Sequence, residues 1–463
     1  MNLFSRLRIY LKSRFDLIRN ERLKLSLMQA FPFWVASLLT GLVAVLYAKL
    51  FAWAEEISRL LFNWHDWFIF IQAPVFIFIG WWLVQRFAPY SKGSGIPQVM
   101  AAIDLAGDGR KYSLKKLLGT RVAVTKIFSS LAMVVGGAAV GREGPTIQIA
   151  GSVFKVIYRI IPSNWPKVAR PNMIVAGAAA GLAAAFNTPL GGIVFAVEEL
   201  SKTHISFYRT ALFSAVIIAG LTAQAILGPY LYLGYPEVSN GSWYLFLLIL
   251  LVAVIAGIAG SYMCLLIVRF LRWKAGFAKT SYHIYFLLIC ALLLAAGAFF
   301  IDKAIMGSGK EIMQQLLFTG DKTPAWYILP IRFVGPLLSF TTGGAGGVFA
   351  PGLSAGACIG ASVSGWFHLL PTETNILILA GMVSFLTGIT RTPFTSAILV
   401  LEMTDRHSLI FYLMLAGMIA GLASLLVDKH SFYDHLKHDY IKQFKKEAAV
   451  SAGDNESPVV PGA

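Results

Sequence analysis

The chain has 463 residues, of which 57% are hydrophobic and only 13% charged, and its mean hydropathy is +0.68. This is far too apolar for a soluble enzyme or a nucleic-acid-binding module, even though 39 Lys and Arg against 23 Asp and Glu give a formal net charge of +16. A chain embedded in a bilayer, with basic flanks facing anionic lipid, accounts for both features.

Residues 1–29 carry Arg6, Arg8, Lys12, Arg14, Arg19, Arg22 and Lys24 and no small-residue cleavage site, which predicts a cytoplasmic amphipathic helix rather than a removable signal peptide. Apolar runs follow at 30–53, 68–83, 122–140, 173–197, 210–227, 245–268, 284–300, 326–340, 376–401 and 409–427. They do not alternate in polarity as the strands of an outer-membrane barrel do, so they read as membrane helices. After Tyr433 the chain is basic again, with Lys437, Lys442, Lys445 and Lys446. The positive-inside rule then places both termini in the cytoplasm and makes the number of crossings even. Cys264, Cys290 and Cys358 lie in apolar surroundings without metal spacing and read as packing residues.

Between the helices, one spacing recurs. Gly93-Ser94-Gly95-Ile96-Pro97, Gly141-Arg142-Glu143-Gly144-Pro145 and Gly347-Val348-Phe349-Ala350-Pro351 share the pattern G-x-x-x-P, each beside a hydrophobic segment. Proline suits the first turn of a helix, and glycines admit a close approach of backbone amides to a ligand. Three such starts suggest broken helices whose N-termini aim at one place, the arrangement of transporter sites near the bilayer midplane. Glu143 is an ionisable residue within an apolar stretch, where it is costly without a task. Its place just before a helix start predicts that its carboxylate is drawn to the amides around Gly144 to Ile147; the bland alternative is a polar N-cap and nothing more.

The two halves also match. Ala176-Gly177, Thr188-Pro189 and Glu198 recur 204 residues later as Ala380-Gly381, Thr392-Pro393 and Glu402, while Gly141 and Pro145 recur 206 residues later as Gly347 and Pro351. The expected organisation is a first membrane repeat at 30–228, a second at 242–427, a C-terminal helix at 428–447 carrying Tyr433, and a disordered tail at 448–463. An odd number of crossings in each repeat would invert one copy relative to the other. Glu198 and Glu402 correspond and read as structural. Glu199 corresponds to Met403 and Glu143 to Phe349, so these two acids break the symmetry and read as functional.

At these motifs the sequence resembles the ClC family of chloride channels and chloride/proton antiporters, bacterial exchanger type, over almost its whole length. The resemblance implies an all-α polytopic membrane protein of about eighteen helices in two inverted-topology repeats, with broken helices meeting at a central anion site. It implies chloride held by the hydroxyls of Ser94 and Tyr433 and the amides of Val348 and Phe349, with Gly93, Arg142 and Gly144 lining the site. Glu143 resembles the family's external gate and proton acceptor, and Glu199 its internal proton acceptor. Gln98 and Met100 stand where some bacterial relatives carry acids. The expected activity is exchange of chloride for protons across a bacterial inner membrane, by a multi-pass homodimer with lipid, chloride and protons as its partners and no cofactor or metal. The nucleotide-binding module of many eukaryotic relatives is expected to be absent. The alternatives are a passive anion channel on the same fold, which does not need Glu199, and a fluoride exporter; Ser94 favours chloride over nitrate. A membrane enzyme would need a nucleophile–base set or metal ligands, and the eight histidines show no H-E-x-x-H spacing. His435 and His438 read as a solvated helix face.

Overall fold

The computed structural model describes residues 16, 18–107, 114–161, 165–166, 168–200, 209–228, 231–238 and 243–453. Among them are seventeen α-helices and no sheet. The first half comprises α1 (Glu21–Trp64), α2 (Ile69–Phe87), α3 (Ile96–Gly107), α4 (Thr120–Val135), α5 (Glu143–Ile160), α6 (Arg170–Phe186), α7 (Pro189–Phe195) and α8 (Arg209–Leu227). The second comprises α9 (Trp243–Ala275), α10 (Thr280–Phe300), α11 (Lys310–Phe318), α12 (Ile328–Thr341), α13 (Phe349–Trp366), α14 (Pro371–Thr390), α15 (Pro393–Thr404) and α16 (Ile410–Ser424), followed by α17 (Phe432–Gly453).

Seven helical segments are long and apolar enough to cross a membrane, those containing α1, α2, α8, α9, α10, α14 and α16. Of the others, α5, α13 and α17 are 18 residues or longer but not apolar enough, and the rest are shorter. Helix α1 begins at Glu21, where the Asn20 side chain accepts the Leu23 amide at 3.1 Å, rather than at residue 30 as the apolar run suggests. At about 1.5 Å per residue its 44 residues outrun a hydrocarbon layer of about 30 Å, so its ends project beyond it. Most of the expected helix at 1–29 lies outside the described residues. The C-terminal helix, expected over 428–447, runs from Phe432 to Gly453, into the segment expected to be disordered; residues 454–463 lie outside the described part.

The core helices pack through small residues. Every residue of α6 from Met173 to Phe186 is buried, most of them Ala or Gly. On α13 and α14, a Cβ added at Gly360 or Gly381 would collide with the backbone of the opposite helix. Close backbone approach is how helices associate where lipid offers no hydrophobic drive. Helix α14 is the extreme case, with 94% of its most apolar window covered by protein.

The repeats are related by an exchange. Glu402, near the end of α15, accepts the amides of Leu190 (3.0 Å) and Gly191 (2.7 Å) at the start of α7. Glu198, in the π-helical turn Ala196–Leu200 that continues α7, accepts the amides of Phe394 (3.2 Å) and Thr395 (2.7 Å) at the start of α15. Each donor and each acceptor in one cap stands 204 residues from its counterpart in the other. Ahead of each helix stands a left-handed residue, Asn187 (φ 58°) and Arg391 (φ 63°), at the same displacement. Contacts that interchange in this way describe a two-fold relation between the inverted halves, and they give both acids the structural place expected of them.

Candidate anion pathway

The three G-x-x-x-P segments meet. Gly93 donates to the Gly344 carbonyl at 2.8 Å and accepts from the Gly346 amide at 3.0 Å, while Gly141 and Gly347 exchange two backbone hydrogen bonds of 2.8 Å. The loop 343–348 is thus tied to both others, and the starts of α3, α5 and α13 are held around one point. In the first loop Gly93 (φ 63°) and Gly95 (φ 106°) adopt conformations that residues with a Cβ rarely take. A Cβ at Gly144 would collide with the Ser94 hydroxyl, so that glycine is required for two helix starts to close on each other.

Into this centre point two hydroxyls. Ser94 and Tyr433 are buried to 1% and 0% exposure, and neither Ser94 Oγ nor the Tyr433 hydroxyl has a hydrogen-bond partner on any other residue. They are near neighbours, and the Tyr433 ring stacks on Phe349, with centroids 6.4 Å apart and an interplanar angle of 10°. Buried hydroxyls normally find a partner. Two with none beyond each other, beside the α13 start with Val348 as its N-cap and Phe349 as its first residue, form a donor set suited to a small anion stripped of water. The donors carry no net charge, so such an ion can be bound and released.

Glu143 closes one side of this centre. It is the first residue of α5 rather than the residue before it, and it is buried. Its carboxylate lies beside its own amide and that of Ala350 at the start of α13, with Oε2 buried and without a hydrogen-bond partner, whereas the sequence suggested the amides around Gly144 to Ile147. The physical reason is direction: the side chain of a first-turn residue folds back over its own helix start, and here the facing start of α13 lies within reach. Glu143 thus stands over the start of the opposite repeat's helix, the one that carries its own symmetry counterpart, Phe349. Arg142, half-buried at the N-cap of α5, lies toward Glu143 and Lys310, at the mouth on that side rather than at the hydroxyl pair.

On the other side, Glu199 is half-buried in the π-helical turn, close enough for its charge to act on Tyr433. It is not part of the cap that Glu198 makes. Gln98 is fully buried, and its Nε2 donates to the carbonyls of Lys92 (2.7 Å) and Tyr90 (3.1 Å) and to the Tyr440 hydroxyl (3.2 Å); Met100 is buried in the core. At these two positions the chain has a neutral brace and a packing residue.

Two buried cations hold the scaffold. Lys126 Nζ donates to the carbonyls of Ser91 (2.7 Å) and Gly93 (2.6 Å), gripping the loop that carries Ser94. Arg332, fully buried, donates to the carbonyls of Ala304 (2.9 Å) and Met306 (3.0 Å) and to Ser354 Oγ (2.7 Å). Both are ions inside apolar runs and they stand 206 residues apart, the displacement of Gly141 and Gly347. That signal was present in the sequence. The approach of the Glu143 carboxylate to Ala350 had no such signal, since it joins backbone and side chain across the repeats.

The voltage gated chloride channel family matches residues 75–425. Solved structures share the fold at low identity. A slow cyanobacterial chloride/proton antiporter aligns with a TM-score of 0.77 at 21% identity, over 90% of this chain and 98% of that one. A CLC-type fluoride/proton antiporter aligns at 0.73 and 19%, over 89% and 98%. A eukaryotic CLC transporter aligns at 0.72 and 19%, over 90% and 75%. With the family matched over most of its length and its three motifs gathered around one buried pair of hydroxyls, the chain belongs to the voltage gated chloride channel family.

Proposed function

We propose that this member of an anion-transporting family is a secondary antiporter that exchanges chloride for protons. The observation that carries the reading is the seat of Glu143, whose carboxylate rests on the amide of Ala350, at the helix start that faces the Ser94–Tyr433 pair. An ionised carboxylate and a chloride ion compete for the same kind of amide, because both are anions drawn to a helix N-terminus. Protonation removes most of that attraction, since charge-assisted hydrogen bonds are about twice as strong as neutral ones. The neutral side chain then yields to chloride and carries its proton outward. Each turnover moves the two ions in opposite directions.

Glu199 serves as the proton acceptor on the other side. It sits within electrostatic reach of Tyr433 and outside the structural cap, as that role needs. Gly93 and Gly144 shape the central site through their backbone, Val348 and Phe349 supply amides to it, and Arg142 sets the positive potential of the gate-side mouth. The working form is a homodimer in a cell inner membrane with both termini cytoplasmic, so that the Glu143 side faces outward. No cofactor takes part.

The test is flux from proteoliposomes. An outward chloride gradient is expected to drive uphill proton uptake; chloride efflux without proton movement would identify a passive channel instead. Fluoride driving protons while chloride does not would reassign the anion.

A further inference from the structure

The loop that carries Ser94 has a twin. Gly93-Ser94-Gly95 recurs as Gly307-Ser308-Gly309, with the same pair of left-handed glycines (φ 63° and 106° against 66° and 84°) and a following helix start. Lys126 grips carbonyls of the first loop and Arg332 those of the second. The twins differ in what their serines hold. Ser94 Oγ has no hydrogen-bond partner, whereas Ser308 Oγ donates at 2.7 Å to Glu55, near the end of α1. Where one repeat presents a hydroxyl to an anion, the other presents it to a carboxylate of the protein itself.

Glu55 lines a cavity of about 560 Å³ together with Arg59, Ser308, Lys310 and Glu311, on the Glu143 side of the molecule. A space of that size with several charged side chains in its wall holds water. Several charged groups face Glu55. Glu56 and Arg59 are on its own helix, Arg59 binding both Glu56 and Glu311; Lys310 and Glu311 come from α11; Asp302 and Lys303 border the same cavity; and Glu143 comes from α5. Glu55 lies near enough to Glu143 for their charges to act on each other, with Arg142 beside Glu143.

We propose that Glu55 is a positioning acid for proton exchange, taking protons from the water-filled mouth and passing them to Glu143. This rests on the antiporter reading above. The transfer balances without any other reagent. A hydronium ion gives its proton to the Glu55 carboxylate and leaves water; the protonated Glu55 then gives that proton through cavity water to the Glu143 carboxylate and returns to its charged form. Only O–H bonds break and form. Repulsion between the two carboxylates favours a single proton moving between them over both groups being charged. Ser308 holds the Glu55 carboxylate at the cavity wall, as Ser94 would hold the anion.

The experiment is proton-coupled chloride efflux from proteoliposomes containing the full chain, with external pH stepped from 4.5 to 7.5. Glu55→Gln is expected to slow exchange roughly tenfold at pH 7.5, where hydronium is scarce, and to leave it unchanged at pH 4.5, with the number of chlorides per proton unaltered. Glu55→Asp, which keeps an acid, is expected to restore most of the rate at pH 7.5. A pH profile of Glu55→Gln parallel to that of the parent would overturn the proposal. If that variant does not fold, Ser308→Ala serves, since it frees the carboxylate and keeps both acids; a shifted midpoint of the profile supports the role and an unshifted one rejects it. A parent protein that moves no protons would sink the antiporter reading, whereas an active exchanger indifferent to Glu55 would sink only this one.

Discussion

Glu198 and Glu402 each cap the helix that opens beside the other: Glu402 accepts the amides of Leu190 and Gly191, and Glu198 those of Phe394 and Thr395. These are bonds between repeats, so they hold the halves in register. Replacing either acid with Ala is expected to cost about 1 kcal/mol, the usual penalty for losing an N-cap, and the two losses should be similar because the sites are symmetric. Thermal unfolding in detergent would show it. A loss confined to one of the two would mean that the exchange is not energetically symmetric.

The adjacent acid should behave differently. Glu199→Gln keeps the shape of the side chain and cannot carry a proton, so proton flux is expected to fall to background while chloride still moves down its gradient. Glu198→Gln is expected to retain coupling at a lower unfolding temperature. Paired chloride and pH recordings on both variants decide this, and equal loss of coupling in the two would contradict the division of labour.

At the centre, Tyr433→Ala removes one of two hydroxyls that have no protein partner, and with it the ring stacked on Phe349. Chloride binding measured by calorimetry is expected to weaken by roughly tenfold, about the worth of one hydrogen bond to an ion, and coupling to loosen. Ser94→Pro removes a hydroxyl and an amide together and is expected to shift the flux ratio toward nitrate. Unchanged affinity in the first and an unchanged ratio in the second would remove the pair from the anion site.

The two buried cations make a graded comparison. Lys126→Met leaves the carbonyls of Ser91 and Gly93 without their donor, in the loop that presents Ser94. Arg332→Met does the same to the loop of Ser308. Each is expected to lower stability by about 1–3 kcal/mol, the cost of buried groups left unpaired. Only Lys126→Met should also weaken chloride binding by calorimetry.

Much of this architecture was legible because duplication prints itself in sequence. The displacement of 204 residues joined Glu198 to Glu402, and the three G-x-x-x-P segments announced helix starts that the structure ties together through Gly93, Gly141 and Gly347. Helix ends were less legible. A hydropathy run does not register Asn20 as a cap, so α1 starts before residue 30, and apolar character is lost after Val427 although a further helix, α17, runs from Phe432 to Gly453. The seat of Glu143 could not be read at all: the Ala350 amide beside it belongs to a segment more than two hundred residues away, and backbone donors leave no compositional trace. The same holds for Glu55 and Ser308, which meet across 253 positions of the chain.

Everything in the exchange reading depends on the competition between the Glu143 carboxylate and an anion for the start of α13. Glu143→Gln imitates the protonated side chain permanently, so the most direct measurement is a pair of recordings, chloride efflux and external pH, from proteoliposomes containing this variant between pH 4.5 and 7.5. No proton movement is expected, with a chloride flux that hardly varies with pH. Uphill proton transport surviving in Glu143→Gln would contradict it.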